Sequence, residues 1–307
     1  MKKRRLGPSD LYVSELGLGC MSLGTNAQQA ERIIGAALDE GINYFDTADL
    51  YDFGVNEQLV GQALKNVRDK VILATKVGNR WKEAKDSWNW DPSKAYIKEA
   101  VKQSLSRLGT DYIDLYQLHG GTMDDPLDET IEAFEELKSE GLIRYYGISS
   151  IRPNVIREFA NRSGMVSVMM QYSMLDRRPE EEALPFLQSK NISVVTRGPL
   201  AKGLVSRTGL KKATAKIQEA GYLDYRYEEL EDVIHSLEER FTSNRDLTSL
   251  ALLYNLTQPA VASVITGAST VEQIQENARA IQSQPLSEEE RSFIQSVTKA
   301  NQYDQHR

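Results

Sequence analysis

Four residues able to do chemistry sit at or just past short apolar runs. Asp46 follows residues 42–45, Lys76 follows 71–75, and His119 follows 113–118; Tyr51 lies in the turn after Asp46. Each run reads as a β-strand. Were these strands parallel neighbours, a carboxylate, a phenol, an ammonium and an imidazole would converge at one sheet edge. A free phenol, with a pKa near about 10, is a poor acid at neutral pH. An ammonium beside it favours phenolate and makes the phenol a better proton donor. That ammonium keeps its charge in a pocket only with a carboxylate partner, which Asp46 supplies. An imidazole can orient a carbonyl oxygen. The set suits protonation of a carbonyl as it is reduced. Taken singly, each residue has an ordinary reading: a turn cap, loop packing, a salt bridge, a satisfied core imidazole. Their joint placement favours chemistry.

The elements that must position these groups alternate along the chain. Apolar runs at 15–19, 42–45, 71–77, 113–118, 143–148, 166–170, 192–196 and 261–265 read as strands. Helical patterns follow at 28–40, 56–65, 92–108, 126–140, 153–161, 180–189, 247–255 and 270–281. Gly41, Gly109 and Gly141 stop three of the helices, and Pro153 suits a first helical turn. A long insertion separates the seventh strand from its helix. Eight βα units in about 250 residues predict a (β/α)₈ TIM barrel, an α/β fold of parallel strands joined by helical crossovers. Residues 3–6 and 12–16 predict an N-terminal β-hairpin, and 287–301 an extra C-terminal helix. No Pro/Gly/Ser-rich linker divides the chain, so one domain over 1–307 is expected.

Composition excludes several function classes. The chain has 307 residues and a net charge of −7 with both signs mixed, which disfavours non-specific nucleic-acid binding. Met1-Lys2-Lys3-Arg4-Arg5 resembles the start of a signal, but Leu6-Gly7-Pro8-Ser9-Asp10 follows where an apolar stretch is needed. No apolar run approaches the roughly 20 residues of a membrane helix. The single cysteine, Cys20, excludes an internal disulfide and a Cys-based zinc site, and His119, His235 and His306 lack ligand spacing, so no metal is expected. A cytoplasmic protein without membrane or nucleic-acid partners is the expectation.

The run Gly41-Ile42-Asn43-Tyr44-Phe45-Asp46-Thr47-Ala48-Asp49-Leu50-Tyr51, with Lys76 and His119, resembles the aldo-keto reductase family over nearly the full chain, and among its members the bacterial, cytosolic type. The resemblance implies that Asp46, Tyr51, Lys76 and His119 are a catalytic tetrad. It further implies a barrel that binds a nicotinamide cofactor extended, without a Rossmann fold. Hydride would pass directly to the carbon of a small-molecule carbonyl, with the tyrosine as acid.

Further segments fit the resemblance. After the fifth strand, Ser149 matches a serine that binds the nicotinamide amide in similar enzymes; Ser150 stands where they carry asparagine. Gln171 matches the glutamine that also holds the carboxamide. Arg197 occupies the place of an aromatic residue that stacks on the nicotinamide, and a guanidinium plane can stack too. Gly198, Leu200, Lys202 and Gly203 resemble the loop around the pyrophosphate, where glycine permits close backbone approach. Gly267, Ser269, Thr270, Gln273, Glu276 and Asn277 open the eighth helix, where similar proteins bind the adenosine 2′-phosphate and adenine. No cation stands between Gly267 and Asn277, yet hydroxyls and the helix dipole can bind phosphate. NADPH is the expected cofactor, with NADH open.

Trp81, Trp88 and Trp90 all lie in the loop after Lys76. They either line the pocket and favour apolar or aromatic carbonyls, or pin a long loop to the barrel. Three rival readings of the same residues remain. Gly17-x-Gly19-x-x-Ser22 is part of a Rossmann fingerprint, but its third glycine is missing. Lys76 could serve a lyase as a Schiff-base amine. A nicotinamide-binding sensor or channel-accessory subunit would carry the same tetrad with little turnover.

Overall fold

The computed structural model describes residues 1–241 and 244–307. It opens with an antiparallel hairpin, β1 (Lys3–Arg5) and β2 (Tyr12–Ser14). Then follow β3 (Leu16–Gly19), α1 (Ala27–Asp39), β4 (Tyr44–Asp46), α2 (Val55–Leu64) and β5 (Ile72–Val77). A second antiparallel hairpin, β6 (Asn79–Trp81) and β7 (Trp88–Trp90), precedes α3 (Lys94–Leu108). The alternation resumes with β8 (Ile113–Leu118), α4 (Leu127–Ser139), β9 (Ile143–Ser149), α5 (Pro153–Arg162), β10 (Ser167–Gln171), α6 (Ala183–Ser189) and β11 (Ser193–Arg197). The chain ends with α7 (Ala215–Ala220), α8 (Tyr227–Phe241), α9 (Leu247–Leu256), β12 (Val261–Gly267), α10 (Val271–Ile281) and α11 (Glu288–Val297).

Strands β3, β4, β5, β8, β9, β10, β11 and β12 close into a barrel in that order, β12 returning to β3. Every neighbouring pair is parallel. The expected (β/α)₈ barrel, hairpin and final helix are therefore all present. Three details differ from expectation. The sixth helix begins at Ala183 rather than residue 180, because Arg178–Glu180 form a separate 3-10 turn around Pro179. The last helix stops at Val297. The seventh-strand insertion and the loop after β5 carry structure of their own, α7 with α8 and the β6–β7 hairpin.

Two apolar layers hold the barrel. Alternate strand residues such as Phe45, Leu73, Tyr116, Val168 and Val264 face the helices, meeting Ile34, Val101 and Phe134 among others. The intervening residues Tyr44, Ile72, Ala74, Leu115, Met169, Val195 and Ile265 fill the interior, and Leu6, Leu11 and Val13 of the first hairpin pack into the same cluster. Side chains alternate with a period of two, so each interior plug is followed, two residues on, by a group at the barrel mouth. Tyr44 leads to Asp46, Ala74 to Lys76, Gln117 to His119, Gly147 to Ser149, Met169 to Gln171, Val195 to Arg197 and Ile265 to Gly267. The apolar core thus aims these groups at the C-terminal face, where barrels of this kind gather function.

Candidate active site

At that face lies a cleft of about 870 Å³. Asp46, Tyr51, Lys76 and His119 all line it, together with Ser149, Arg197, Gly198 and Gly267. Lys76 is 1% exposed and Asp46 is 3% exposed. Lys76 Nζ donates to Asp46 Oδ1 at 2.5 Å, to the Thr47 carbonyl at 2.7 Å and to Tyr51 Oη at 3.5 Å. Gln117 Nε2 donates to Asp46 Oδ2 at 3.1 Å, so both carboxylate oxygens are satisfied. Burial works against the Lys76 ammonium, but Asp46 and Tyr51 outweigh it and raise its pKa above the ordinary range. Lysine 76 therefore holds its proton.

Tyr51 is carried on a tight 3-10 turn, Tyr51–Gly54, in which Asp52 and Phe53 have left-handed φ angles of 48° and 51°. Such conformations are costly for residues with side chains and persist when neighbours impose them. Phe53 meets Trp81 edge to face with centroids 6.4 Å apart. Behind the turn, Arg107 Nε donates to the fully buried Glu57 at 2.7 Å, and its guanidinium lies 5.1 Å from the Trp81 ring. The Tyr51 ring sits edge-on to His119 at 5.9 Å.

His119 Nδ1 is buried and has no hydrogen-bond partner among the described residues. Burial first, then Lys76 and Arg197, push its imidazole down to about 3 from an ordinary 6.5. It is neutral through the physiological range. An unfolded chain gains the extra proton below 6.5 and the folded one only near 3, so stability falls as pH drops through that window. Because the ring reaches the open cleft, the loss at pH 4 is expected to be about 1–3 kcal/mol. His119→Gln should remove it: urea midpoints at pH 7 and pH 4 should differ less in the variant than in the wild type. An equal acid loss in both would assign the effect elsewhere.

Other expected cofactor positions spread along the rim. Gln171 touches Arg197 at the edge of the cleft, Arg197 Nη1 donating to Gln171 Oε1 at 3.1 Å. In the turn after Gly198, the residues Ala201, Lys202 and Gly203 have consecutive positive φ values of 47°, 59° and 89°. Leu200 heads that turn and accepts from Gly203 N at 2.8 Å. Thr270 caps α10, its hydroxyl accepting from Gln273 N at 3.3 Å, and Ser269 N donates to Gln273 Oε1 at 2.7 Å. Asn277 is 5% exposed and donates to Thr266 Oγ1 at 3.2 Å. Gln171, Leu200, Lys202, Gly203, Ser269, Thr270, Gln273, Glu276 and Asn277 do not line the mouth cleft itself; Gln171 reaches it through Arg197, which does. A Cβ on Gly267 would meet Ser22 Oγ at 2.8 Å, so glycine here leaves room for that side chain from the turn after β3.

Sequence reasoning missed several lining residues: Met21, Ser22, Asn79 and Arg152. Ser22 stood within the Gly17-x-Gly19-x-x-Ser22 run and Asn79 three residues past Lys76, so position relative to strand ends carried a signal. It also missed Arg207, whose guanidinium lies 3.3 Å from Glu276. That cation comes from the insertion, remote in sequence from the segment it faces. Among the described residues there is no group of three or more His, Cys, Asp or Glu able to hold a metal, and no helix is long and apolar enough to cross a membrane.

The profile of the aldo/keto reductase family matches residues 15–299. The "Uncharacterized oxidoreductase YqkF" of Bacillus subtilis (strain 168) is 59% identical over 307 residues, covering 100% of both chains. The "NADH-specific methylglyoxal reductase" of Escherichia coli (strain K12) is 34% identical, over 92% of this chain and 94% of that one. The solved aldo-keto reductase AKR11C1 from Bacillus halodurans, in its holo form, superposes with a TM-score of 0.93 at 60% identity, covering 100% of this chain and 99% of that one. Family match, barrel and mouth cleft agree: this chain belongs to the aldo/keto reductase family and is an NAD(P)H-dependent oxidoreductase that reduces carbonyl compounds.

Proposed function

We propose that the protein reduces an aldehyde or ketone to the alcohol with NADPH, on one domain spanning 1–307, in the cytoplasm, with Tyr51 as the proton donor. The observation that carries this reading is the contact chain from Asp46 through Lys76 to Tyr51 Oη, with His119 beside it. A reduced nicotinamide, when bound, supplies hydride for the carbonyl carbon. Tyr51 Oη gives its proton to the carbonyl oxygen, and the Lys76 ammonium stabilises the phenolate left behind. Asp46 keeps that ammonium charged in a buried place. The neutral His119 ring donates one hydrogen bond that orients the carbonyl oxygen. The same contacts count against a Schiff-base lyase, since Lys76 is held protonated and an amine nucleophile must be neutral.

The residues fit a nicotinamide nucleotide. Ser149, Gln171 and Arg197 would hold the nicotinamide end, and Gly198, Leu200, Lys202 and Gly203 the pyrophosphate. Gly267, Ser269, Thr270, Gln273, Glu276 and Asn277 would hold the adenosine end. Arg207 supports NADPH over NADH: its side chain is 74% exposed beside Glu276 and brings a cation to a segment that has none of its own. The Escherichia coli relative is named NADH-specific, so the choice is a direct experimental question. A panel of aldehydes and ketones assayed with NADPH and NADH side by side tests the reading. Turnover favouring NADPH supports it. Nucleotide binding without turnover of any carbonyl would favour a sensor.

The three tryptophans divide between the two roles the sequence left open. Trp88 and Trp90 line the cleft with Met21, Leu50 and Ile151, and Trp88 is 49% exposed at the rim. Trp81 instead braces the Tyr51 turn through Phe53. We expect Trp88→Ala to lower kcat/KM about tenfold for bulky aromatic aldehydes and to spare short ones, as loss of apolar contact predicts. Trp81→Ala should lower both classes alike. Equal losses on both classes in Trp88→Ala would rule out its contact with substrate.

A further inference from the structure

The side-chain amide of Gln171 is held on both sides by charge. Its Nε2 donates to Asp176 Oδ2 at 2.8 Å, and its Oε1 accepts from Arg197 Nη1 at 3.1 Å. Reversing the amide would turn its oxygen toward a carboxylate and its NH₂ toward a guanidinium, so one orientation alone satisfies both partners. Asp176 is 0% exposed and is fixed in turn by Arg178, which donates Nε to Oδ1 at 2.7 Å and Nη2 to Oδ2 at 2.8 Å. That is the bidentate fork of a strong, oriented ion pair. A short turn sets the carboxylate back against the end of its own strand: Asp176 N donates to Ser173 Oγ at 3.1 Å, and the two residues bridge through their backbones. The Arg178 guanidinium rests 4.9 Å from the Tyr303 ring, which covers the pair from the C-terminal segment.

None of Gln171, Asp176 and Arg178 lines the mouth cleft; Gln171 adjoins it through Arg197, which does. A buried ion pair is weak as a source of stability, and its best-attested use is to specify one arrangement. Here the arrangement specified is that of a neighbouring amide at the cleft edge. Arg197 is exposed and reaches into the cleft, so its bond to Gln171 Oε1 is one that a bound group can replace.

We infer that Asp176 and Arg178 are positioning residues that lock Gln171 with its carbonyl oxygen toward the cleft and its NH₂ turned away. Gln171 then offers an acceptor and no donor. A ligand must bring an N–H to that point, as the carboxamide of a nicotinamide does and an acetyl group in its place does not. The inference rests on the proposed nicotinamide nucleotide and adds the device that reads its amide. Because a hydrogen-bonding site rejects an analogue lacking the matching group, the lock is a selector at the cofactor's reactive end.

The test is equilibrium binding to the full chain, followed by tryptophan fluorescence, of NADP⁺ and its 3-acetylpyridine analogue, in which CH₃ replaces NH₂. The wild type should bind the analogue about tenfold more weakly, the worth of one such bond. Gln171→Leu should abolish the difference. Asp176→Asn/Arg178→Met, which leaves no orphan charge, should narrow it to about twofold by freeing the amide to turn; Asp176→Ser/Arg178→Met is the second route to the same result should that variant not fold. Equal affinities in the wild type, or an unchanged ratio in the Asp176 variants, would overturn the inference while leaving carbonyl reduction intact. Absence of binding of any nicotinamide nucleotide to the wild type would instead overturn the functional reading on which it rests.

Discussion

Tyr51→Phe is expected to lower kcat about 10³-fold, within the range for loss of a positioned general acid, and to leave nucleotide affinity within about twofold. The substitution removes only the hydroxyl. The Phe ring keeps the edge-on contact with His119 at 5.9 Å and stays 5.1 Å below Lys76 Nζ. What is lost is the Oη contact to Lys76 at 3.5 Å and the proton it carries. Single-turnover rates with a reactive aldehyde, set beside a fluorescence titration of the nucleotide, measure the two effects separately. Turnover within about tenfold of wild type would assign the proton to another group.

The second large effect is on stability as well as rate. Lys76→Met leaves Asp46 buried with Gln117 as its one remaining side-chain partner among the described residues. Removing one member of a buried pair typically costs about 3–5 kcal/mol, because the remaining charge is uncompensated. Activity should fall at least about 10²-fold, since a phenolate at Tyr51 would lack its cation. Lys76→Met/Asp46→Asn should regain most of the lost stability and none of the activity. Urea unfolding of the single and double variants checks the first claim, and the carbonyl assay checks the second. A single variant as stable as the wild type would mean that the pair is not carried as ions.

Much of this architecture is legible in the residues because two periodicities carry it. The eight strand patterns stand out as short apolar runs, and the helix patterns between them end where Gly41, Gly109 and Gly141 adopt positive φ. Strand alternation then takes Asp46, Lys76 and His119 to the mouth. What escapes notice has a physical reason in each case. The β6–β7 hairpin has three residues per strand, too few for alternation to register. Helix α8 does carry the amphipathic spacing Leu230, Val233, Ile234, Leu237, Phe241, but an expectation of one helix per strand leaves it inside an insertion. The Asp176–Arg178 pair and the Arg207–Glu276 contact depend on where loops fold back, and no local pattern encodes that. Asn277 illustrates the converse. Its position matches a cofactor contact, while its amide is largely buried against Thr266.

The central claim is that hydride from a nicotinamide nucleotide reaches a carbonyl carbon while Tyr51 protonates the oxygen. Turnover of an aldehyde with NADPH carrying deuterium at C4, followed by mass spectrometry of the alcohol, tests it most directly. The account predicts that one stereoisomer of the labelled nucleotide gives an alcohol with one carbon-bound deuterium, that solvent deuterium never enters that carbon, and that Tyr51→Phe gives almost no product. Unlabelled alcohol from both stereoisomers, or carbon-bound label drawn from deuterated water, would contradict it.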